Sequence, residues 1–257
     1  MNIVVCLKAV PSRAINPAIT DEGRRMRVES PQWIFNESDE YALEEALFLK
    51  KSLRGSVAVI TVGPIRSQEV LYSSLARGAD KVIRVDADEF DPNIIAYLLS
   101  QAIKKLSYDL ILTGVESSDG MSSQVGMSLA MELAVPYAYA VTKIESGSDL
   151  KSIIVERELG GGRYQTLEIS LPALLCIQSG ITPLSYTPVA KLFQARRTGT
   201  ACFTLADLGV GSGQLKDRRK TRIVEILQRE KANKIQMLTG NPDELAHFIF
   251  EKIKEAY

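Results

Sequence analysis

A chain of 257 residues with 46% hydrophobic and 24% charged side chains can bury one large α/β core or two small ones, and its composition excludes a disordered protein. Lys plus Arg (31) equals Asp plus Glu (31), so the net charge is zero and gives no electrostatic reason to expect nucleic acid or an anionic membrane surface. No apolar run approaches the ~18 residues of a membrane span, and the opening residues form a strand with no signal-peptide pattern, so a cytoplasmic protein is expected.

Ile3 to Ala9 is an almost unbroken apolar run, the pattern of a parallel strand covered on both faces. Pro11 and Ser12 end it, and residues 13 to 35 read as a long irregular loop with a turn at Asp21-Glu22-Gly23 and a short strand at Met26 to Glu29. Asn36 or Ser38 can cap a helix that runs to about Leu53, with acids at its start, bases at its end and Ala42, Leu43, Ala46, Leu47, Leu49 and Leu53 on its buried stripe. Val57 to Val62 is a second strand, Ser67 to Ala76 a helix, Val82 to Val85 a third strand and Pro92 to Leu106 a helix. Leu110 to Leu112 is a fourth strand, followed by a polar loop and a helix from Gly120 to Leu133. This alternation predicts a doubly wound, mostly parallel sheet with right-handed crossovers.

After Pro136 the pattern changes to short strands at Ala138–Ile144, Ile153–Glu158, Tyr164–Ile169 and Ala173–Gln178. Ser146-Gly147-Ser148-Asp149 and Gly160-Gly161-Gly162 supply turns, which predicts an antiparallel extension of the same sheet. Pro183 to Pro188 is a loop and Val189 to Ala195 a short helix. From Thr200 the alternation stops: Gly211 to Gln214 reads as linker, Lys216 to Arg222 as a solvated basic run, and Arg222 to Leu227 as a possible strand. Asn241 caps a last helix with Pro242 at its first position and an apolar stripe of Leu245, Phe248, Ile249 and Ile253. The division expected is an α/β domain over 1–197 and a carboxyl-terminal arm over 198–257.

In a doubly wound sheet a ligand sits where the carboxyl ends of strands meet, here the ends near Cys6, Val62 and Thr113-Gly114. The segment Thr113, Gly114, Val115, Ser117, Ser118, Asp119, Ser122, Ser123, Gln124 and Gly126 places hydroxyls, an amide and a helix start at that edge. Such groups suit a phosphate, a ribose and a purine edge; an ordinary capped βα turn explains the same spacing. Cys6, Cys176 and Cys202 show no metal or redox spacing and read as packing residues. No metal site is expected, and a single histidine, His247 in the last helix, gives no basis for histidine-based nucleophilic catalysis.

The segment Thr113-Gly114-Val115-Glu116-Ser117-Ser118-Asp119 with Gln124-Val125-Gly126 resembles the nucleotide-binding segment of the electron-transfer flavoprotein beta subunit. Four further stretches match in family order: Val5 to Pro11, Asn36 with Asp39 and Ala42 to Leu47, Leu75 to Asp80, and Val155 to Gly162. The resemblance implies an adenine-nucleotide alpha hydrolase-like fold, structural AMP in the crevice and contacts to it from Asn36 and Asp39. It also implies an alpha subunit that carries FAD, so the chain is an electron-carrier subunit with no catalytic residue of its own. The pair would take electrons from dehydrogenases of the acyl-CoA type to a quinone-linked acceptor. Arg13, Arg157 and Glu158 fall where the family's subunits and flavin domain meet. The loop before the 189–195 helix is the family's docking site, with Tyr186, Val189 and Leu192 as the contacts; Val189 stands where the family carries an inserting leucine. The family's Pro-Arg-Tyr is Pro183-Leu184-Ser185-Tyr186 here, which puts the partner's identity in question. Two other readings stand beside this one: a bifurcating subunit with a second FAD in the AMP crevice, and a stand-alone adenine-nucleotide-binding module.

Overall fold

The computed structural model describes every residue except 13–17, 21–24, 28–31, 147–150, 228–236 and 257. Arg13 and the turn at Asp21-Glu22-Gly23 lie outside the described residues, as do most of the turn at 146–149 and the end of the strand expected at 26–29.

In chain order the elements are β1 (Asn2–Cys6), β2 (Ala9–Pro11), β3 (Ala18–Thr20), β4 (Arg25–Arg27), β5 (Trp33–Phe35) and α1 (Glu37–Leu53). There follow β6 (Ser56–Val62), a 3-10 turn at Ile65–Ser67, α2 (Gln68–Arg77), β7 (Lys81–Val85), α3 (Pro92–Ile103), β8 (Leu110–Gly114) and α4 (Val125–Leu133). The rest comprises β9 (Tyr137–Ser146), β10 (Ser152–Gly160), β11 (Arg163–Ser170), β12 (Ala173–Ile177), α5 (Val189–Thr198), β13 (Ala201–Phe203), α6 (Ser212–Arg218) and α7 (Pro242–Ala256).

Nine strands form one sheet in the order β11-β10-β9-β12-β8-β1-β6-β7-β13. From β13 to β9 every neighbouring pair is parallel, while β9-β10 and β10-β11 are antiparallel. The central strands carry apolar side chains on both faces because helices cover both. Ile3, Val5, Val57 and Val59 pack with Ala42, Leu43 and Leu47 of α1 and Leu71 of α2. Val4, Ile60, Ile83 and Ile111 pack with Ile94, Leu98 and Ile103 of α3 and Leu129 of α4. The chain therefore winds outward from β1 through β6 to β7 on one face, then returns over the other face to place β8 on the far side of β1. The order of strands reverses between β1 and β8.

Several local expectations are corrected. Ala173–Ile177 is parallel to both its neighbours and lies between β8 and β9, so the antiparallel extension is only β9 to β11. Helix α4 starts at Val125, five residues later than expected, because Met121 (φ 45°) and Ser123 (φ 52°) take left-handed backbone that interrupts a helix. Three residues after Thr200 return to the sheet as its edge strand β13. The supposed linker at Gly211–Gln214 opens α6, and Arg222–Leu227 is not a strand. The basic run is only partly a solvated face: Arg218 pairs with Glu132 and Arg219 with Glu89. Cys6 and Cys176 are buried, but Cys202 is exposed on β13. Among the described residues no helix is long and apolar enough to cross a membrane.

Gly126, in the first turn of α4, lets that helix press on the sheet: a Cβ there would overlap Cys176 Sγ and lie 2.8 Å from Thr113 Oγ1. Alanine gains up to about 1 kcal/mol of helix propensity, but overpacking against a full core costs about 1–3 kcal/mol. Gly126→Ala is therefore expected to lower the denaturant midpoint at unchanged m-value; a raised midpoint would show that the helix can shift outward freely.

Candidate functional site

Parallel pairing between β1 and β8 ends at Val5–Leu112. Beyond that point β1 stays with β6, through Cys6–Ile60 and the Leu7 N–H to Ile60 O bond of 2.9 Å. Strand β8 stays with β12, through Ile177–Gly114 and the Val115 N–H to Ile177 O bond of 3.2 Å. The two strands thus part at their carboxyl ends, where the strand order reverses, the place at which a doubly wound sheet takes a ligand.

The N-terminus of α1 spans that opening. Asp39 is buried, and its carboxylate accepts the Lys8 N–H at 2.7 Å and the Gly114 N–H at 2.9 Å, one from each parted strand. Gly114 is required because a Cβ would overlap Ser38 Oγ and Asp39 Oδ1. Asn36 occupies the helix N-cap position, yet its side chain makes no cap bond. Its amide donates to Glu116 O at 2.6 Å and its carbonyl accepts the Ser118 N–H at 2.9 Å, while Ser38 Oγ donates to the same Glu116 O at 2.8 Å. The residues expected to cap the helix serve instead to fix the loop 115–124.

Lys8 reaches over the crevice from β1's side to Asp119 at 2.6 Å and Ser117 Oγ at 3.2 Å. Ser123 Oγ donates to Glu116 Oε2 at 3.0 Å, tying the loop's two ends together. Thr113 is buried with its hydroxyl on Gly114 O, and Cys6 and Val62 pack into the α3–α4 side of the core. Helix α4 begins at the loop's end with no side chain capping it: Gln124, at the N-cap position, makes no cap bond. The rim therefore presents a helix start, the hydroxyls of Ser117, Ser122 and Ser123, the Gln124 amide and the Lys8 ammonium. That set can hold a phosphate ester and hydroxyl-bearing groups beside it. Among the described residues no cluster of three or more His, Cys, Asp or Glu could hold a metal.

The structure thus joins Asn36, Asp39, Gly114, Ser117, Ser118, Asp119 and Ser123 in one network with Gly126 beneath it, while Val115 stays in the sheet through its bond to Ile177 O. Lys8 and Glu116 were not singled out from the sequence. Lys8 follows the first strand at the crevice edge, a position that the crevice rule alone could have flagged. Arg157 and Glu158 lie on the antiparallel side, where Arg157 Nε donates to Gln165 at 3.0 Å and Glu158 accepts from Gln178 at 3.2 Å. Tyr186 and Val189 form part of a third surface with Leu184 and Phe193, all exposed, while Leu192 is half-buried. The Ser185 hydroxyl anchors that loop on the Glu44 carboxylate at 2.9 Å.

Burial pushes the Asp39 carboxyl up to about 7, against the lowering effect of the Lys8 and Gly114 N–H donors. A carboxyl raised in the folded state takes up protons on folding, so its stabilising contribution is complete below about pH 4 and is lost as pH rises through about 7. Relative to wild type, Asp39→Asn is expected to be least stable near pH 4 and to regain ground toward pH 8. Urea midpoints across that range test this; a constant difference would mean that Asp39 does not titrate there.

A family model described as the electron transfer flavoprotein domain matches residues 26–201. "Electron transfer flavoprotein subunit beta" of Methylophilus methylotrophus is 31% identical over 260 residues, covering 99% of this chain and 98% of the relative. The protein of that name from Clostridium acetobutylicum is 31% identical over 264 residues, covering 100% and 99%. "Protein FixA" of Azotobacter vinelandii is 36% identical over 208 residues, covering 77% of this chain and 72% of the relative. With a domain match across most of its length and relatives aligned from end to end, the chain belongs to the electron transfer flavoprotein beta-subunit family.

Proposed function

We propose that this chain is the nucleotide-holding beta subunit of a two-subunit electron carrier, with AMP bound structurally in the β1–β8 crevice. The observation that carries the reading is the crevice itself: a strand-order reversal, an uncapped helix start at its edge and a loop of hydroxyls fixed by Asn36, Ser38 and Asp39. The α4 start receives the phosphate, and Ser117, Ser118, Asp119, Ser122, Ser123 and Gln124 line the nucleoside. The partner is an alpha subunit that holds FAD, and the flavin supplies the redox chemistry while this chain supplies positioning. Arg157 and Glu158 face the partner's flavin region, and the arm of residues 198–257, as judged from the sequence, reaches the partner. The first 24 residues of that segment stay on the α/β body, so the reach falls to residues 222 onward. End-to-end alignment with proteins named as beta subunits supports this over a stand-alone nucleotide module. Electrons enter from a flavin dehydrogenase, docked through Tyr186, Val189 and Leu192, and leave to a quinone-linked acceptor.

The nucleotide is tested by denaturing purified protein and identifying what is released by mass spectrometry. AMP in near-equal amount is expected; FAD from this chain would instead assign a second flavin to the crevice, and no nucleotide at all would contradict the site. Docking is tested at Val189, which is 60% exposed beside Phe193 at 63%. Val189→Ala is expected to weaken dehydrogenase binding by about 1 kcal/mol, and Val189→Glu far more because a carboxylate enters a dry pocket. Electron-transfer rate against dehydrogenase concentration reads this, and an unchanged curve for the Glu variant would remove the loop from docking.

A further inference from the structure

The last 46 residues divide at Thr221. Before it, the chain is fastened to the α/β body. Leu215 of α6 packs against the α3–α4 core, and the Arg218 guanidinium lies 3.8 Å over the Tyr97 ring while pairing with Glu132. Arg219 forks onto Glu89 at 3.1 and 2.5 Å. The fastening centres on Asp91, which is fully buried. Its Oδ1 caps α3, accepting the N–H groups of Asn93 at 2.9 Å and Ile94 at 3.3 Å. Its Oδ2 is given wholly to the tail, accepting Lys220 N–H at 2.9 Å, Thr221 N–H at 2.7 Å and Thr221 Oγ1 at 2.8 Å. Beyond Thr221 the character reverses: Val224 and Leu227 are 71% and 78% exposed, and α7 leaves Phe248, Ile249 and Ile253 uncovered.

A helix cap needs only one carboxylate oxygen, and Asn serves as well as Asp at that position. The second oxygen therefore answers a different requirement. An apolar helix contributes to association only what remains after the cost of ordering the chain that carries it. A root already held in place removes part of that cost before the partner arrives. We propose that Asp91 is a positioning residue for the arm, fixing at Lys220 and Thr221 the point from which residues 222–256 are delivered to the companion subunit. This rests on the reading of the chain as a beta subunit whose arm contacts alpha. It adds that the arm's affinity depends on a clamp remote from the contact.

The test is a double-mutant cycle on the full-length chain binding FAD-loaded alpha subunit. Arg219→Ala with Thr221→Val loosens the clamp without touching the α3 cap. Phe248→Ser, Ile249→Ser and Ile253→Ser together remove the arm's apolar face at exposed positions. Loosening the clamp alone is expected to weaken binding about five- to tenfold, and by less than twofold once the α7 face is gone, because coupled effects are not additive. Equal losses in both backgrounds would make the clamp a matter of general stability and overturn the proposal; so would no loss from the clamp variant while the α7 variant binds weakly. If the α7 variant itself binds normally, the arm does not contact alpha and the reading beneath the proposal falls with it. Asp91→Asn supplies the second readout, since its amide keeps the cap but sets N–H groups against those of Lys220 and Thr221. Hydrogen exchange should then rise at 218–221 while α3 stays protected; unchanged exchange at 218–221 would show that Asp91 does not hold the arm's root and overturn the proposal.

Discussion

Strands that part to admit a ligand leave backbone N–H groups without a ladder, and those groups need other acceptors if the gap is to hold its shape. At the β1–β8 reversal the acceptor is Asp39, whose two oxygens take one N–H from each strand. The rest of the site depends on that bridge. With α1 held across the opening, Asn36 and Ser38 stand where they can hold Glu116 O and the Ser118 N–H, and the loop leading to α4 acquires a fixed path. The carboxylate does this from a buried position, so the constraint is bought with a desolvation penalty that appears as the raised titration of Asp39.

Charge at the crevice is balanced only in part. The acids Glu116 and Asp119 sit on the loop, and the Lys8 ammonium crosses from the opposite strand to meet Asp119, leaving Glu116 with the Ser123 hydroxyl. Because Lys8 remains 42% exposed by side chain, this pair contributes little to stability. Its value is positional: it puts a cation near a helix start that favours anions.

The parallel core was legible because β1, β6, β7 and β8 are apolar on both faces, a pattern that few arrangements other than a helix-covered parallel sheet can satisfy. That the loop after β8 lies at the strand-order reversal is legible too, since the crevice rule needs only strand ends and the segments that follow them. Which side chain holds which group is not. Asn36 and Ser38 look like helix caps from the sequence, and only the spatial approach of residues 116–118 turns them inward. Ala173–Ile177 was misplaced for a similar reason, since a short buried strand carries no sign of the direction of its neighbours. In sequence the tail reads as linker at Gly211–Gln214 and solvated face at Lys216–Arg222, because the acceptors that fasten it, Glu89, Asp91 and Glu132, lie 86 to 130 residues away.

The central claim is that the gap between β1 and β8 is a nucleotide site held open by Asp39. A crystal structure of the protein with its co-purifying small molecule tests this most directly. The account predicts density for a nucleotide with its phosphate at the Val125 start of α4 and its sugar along Ser117 to Ser123, with Asp39 still bridging Lys8 and Gly114. A nucleotide bound elsewhere, or strands β1 and β8 closed onto each other with Asp39 turned away, would contradict it.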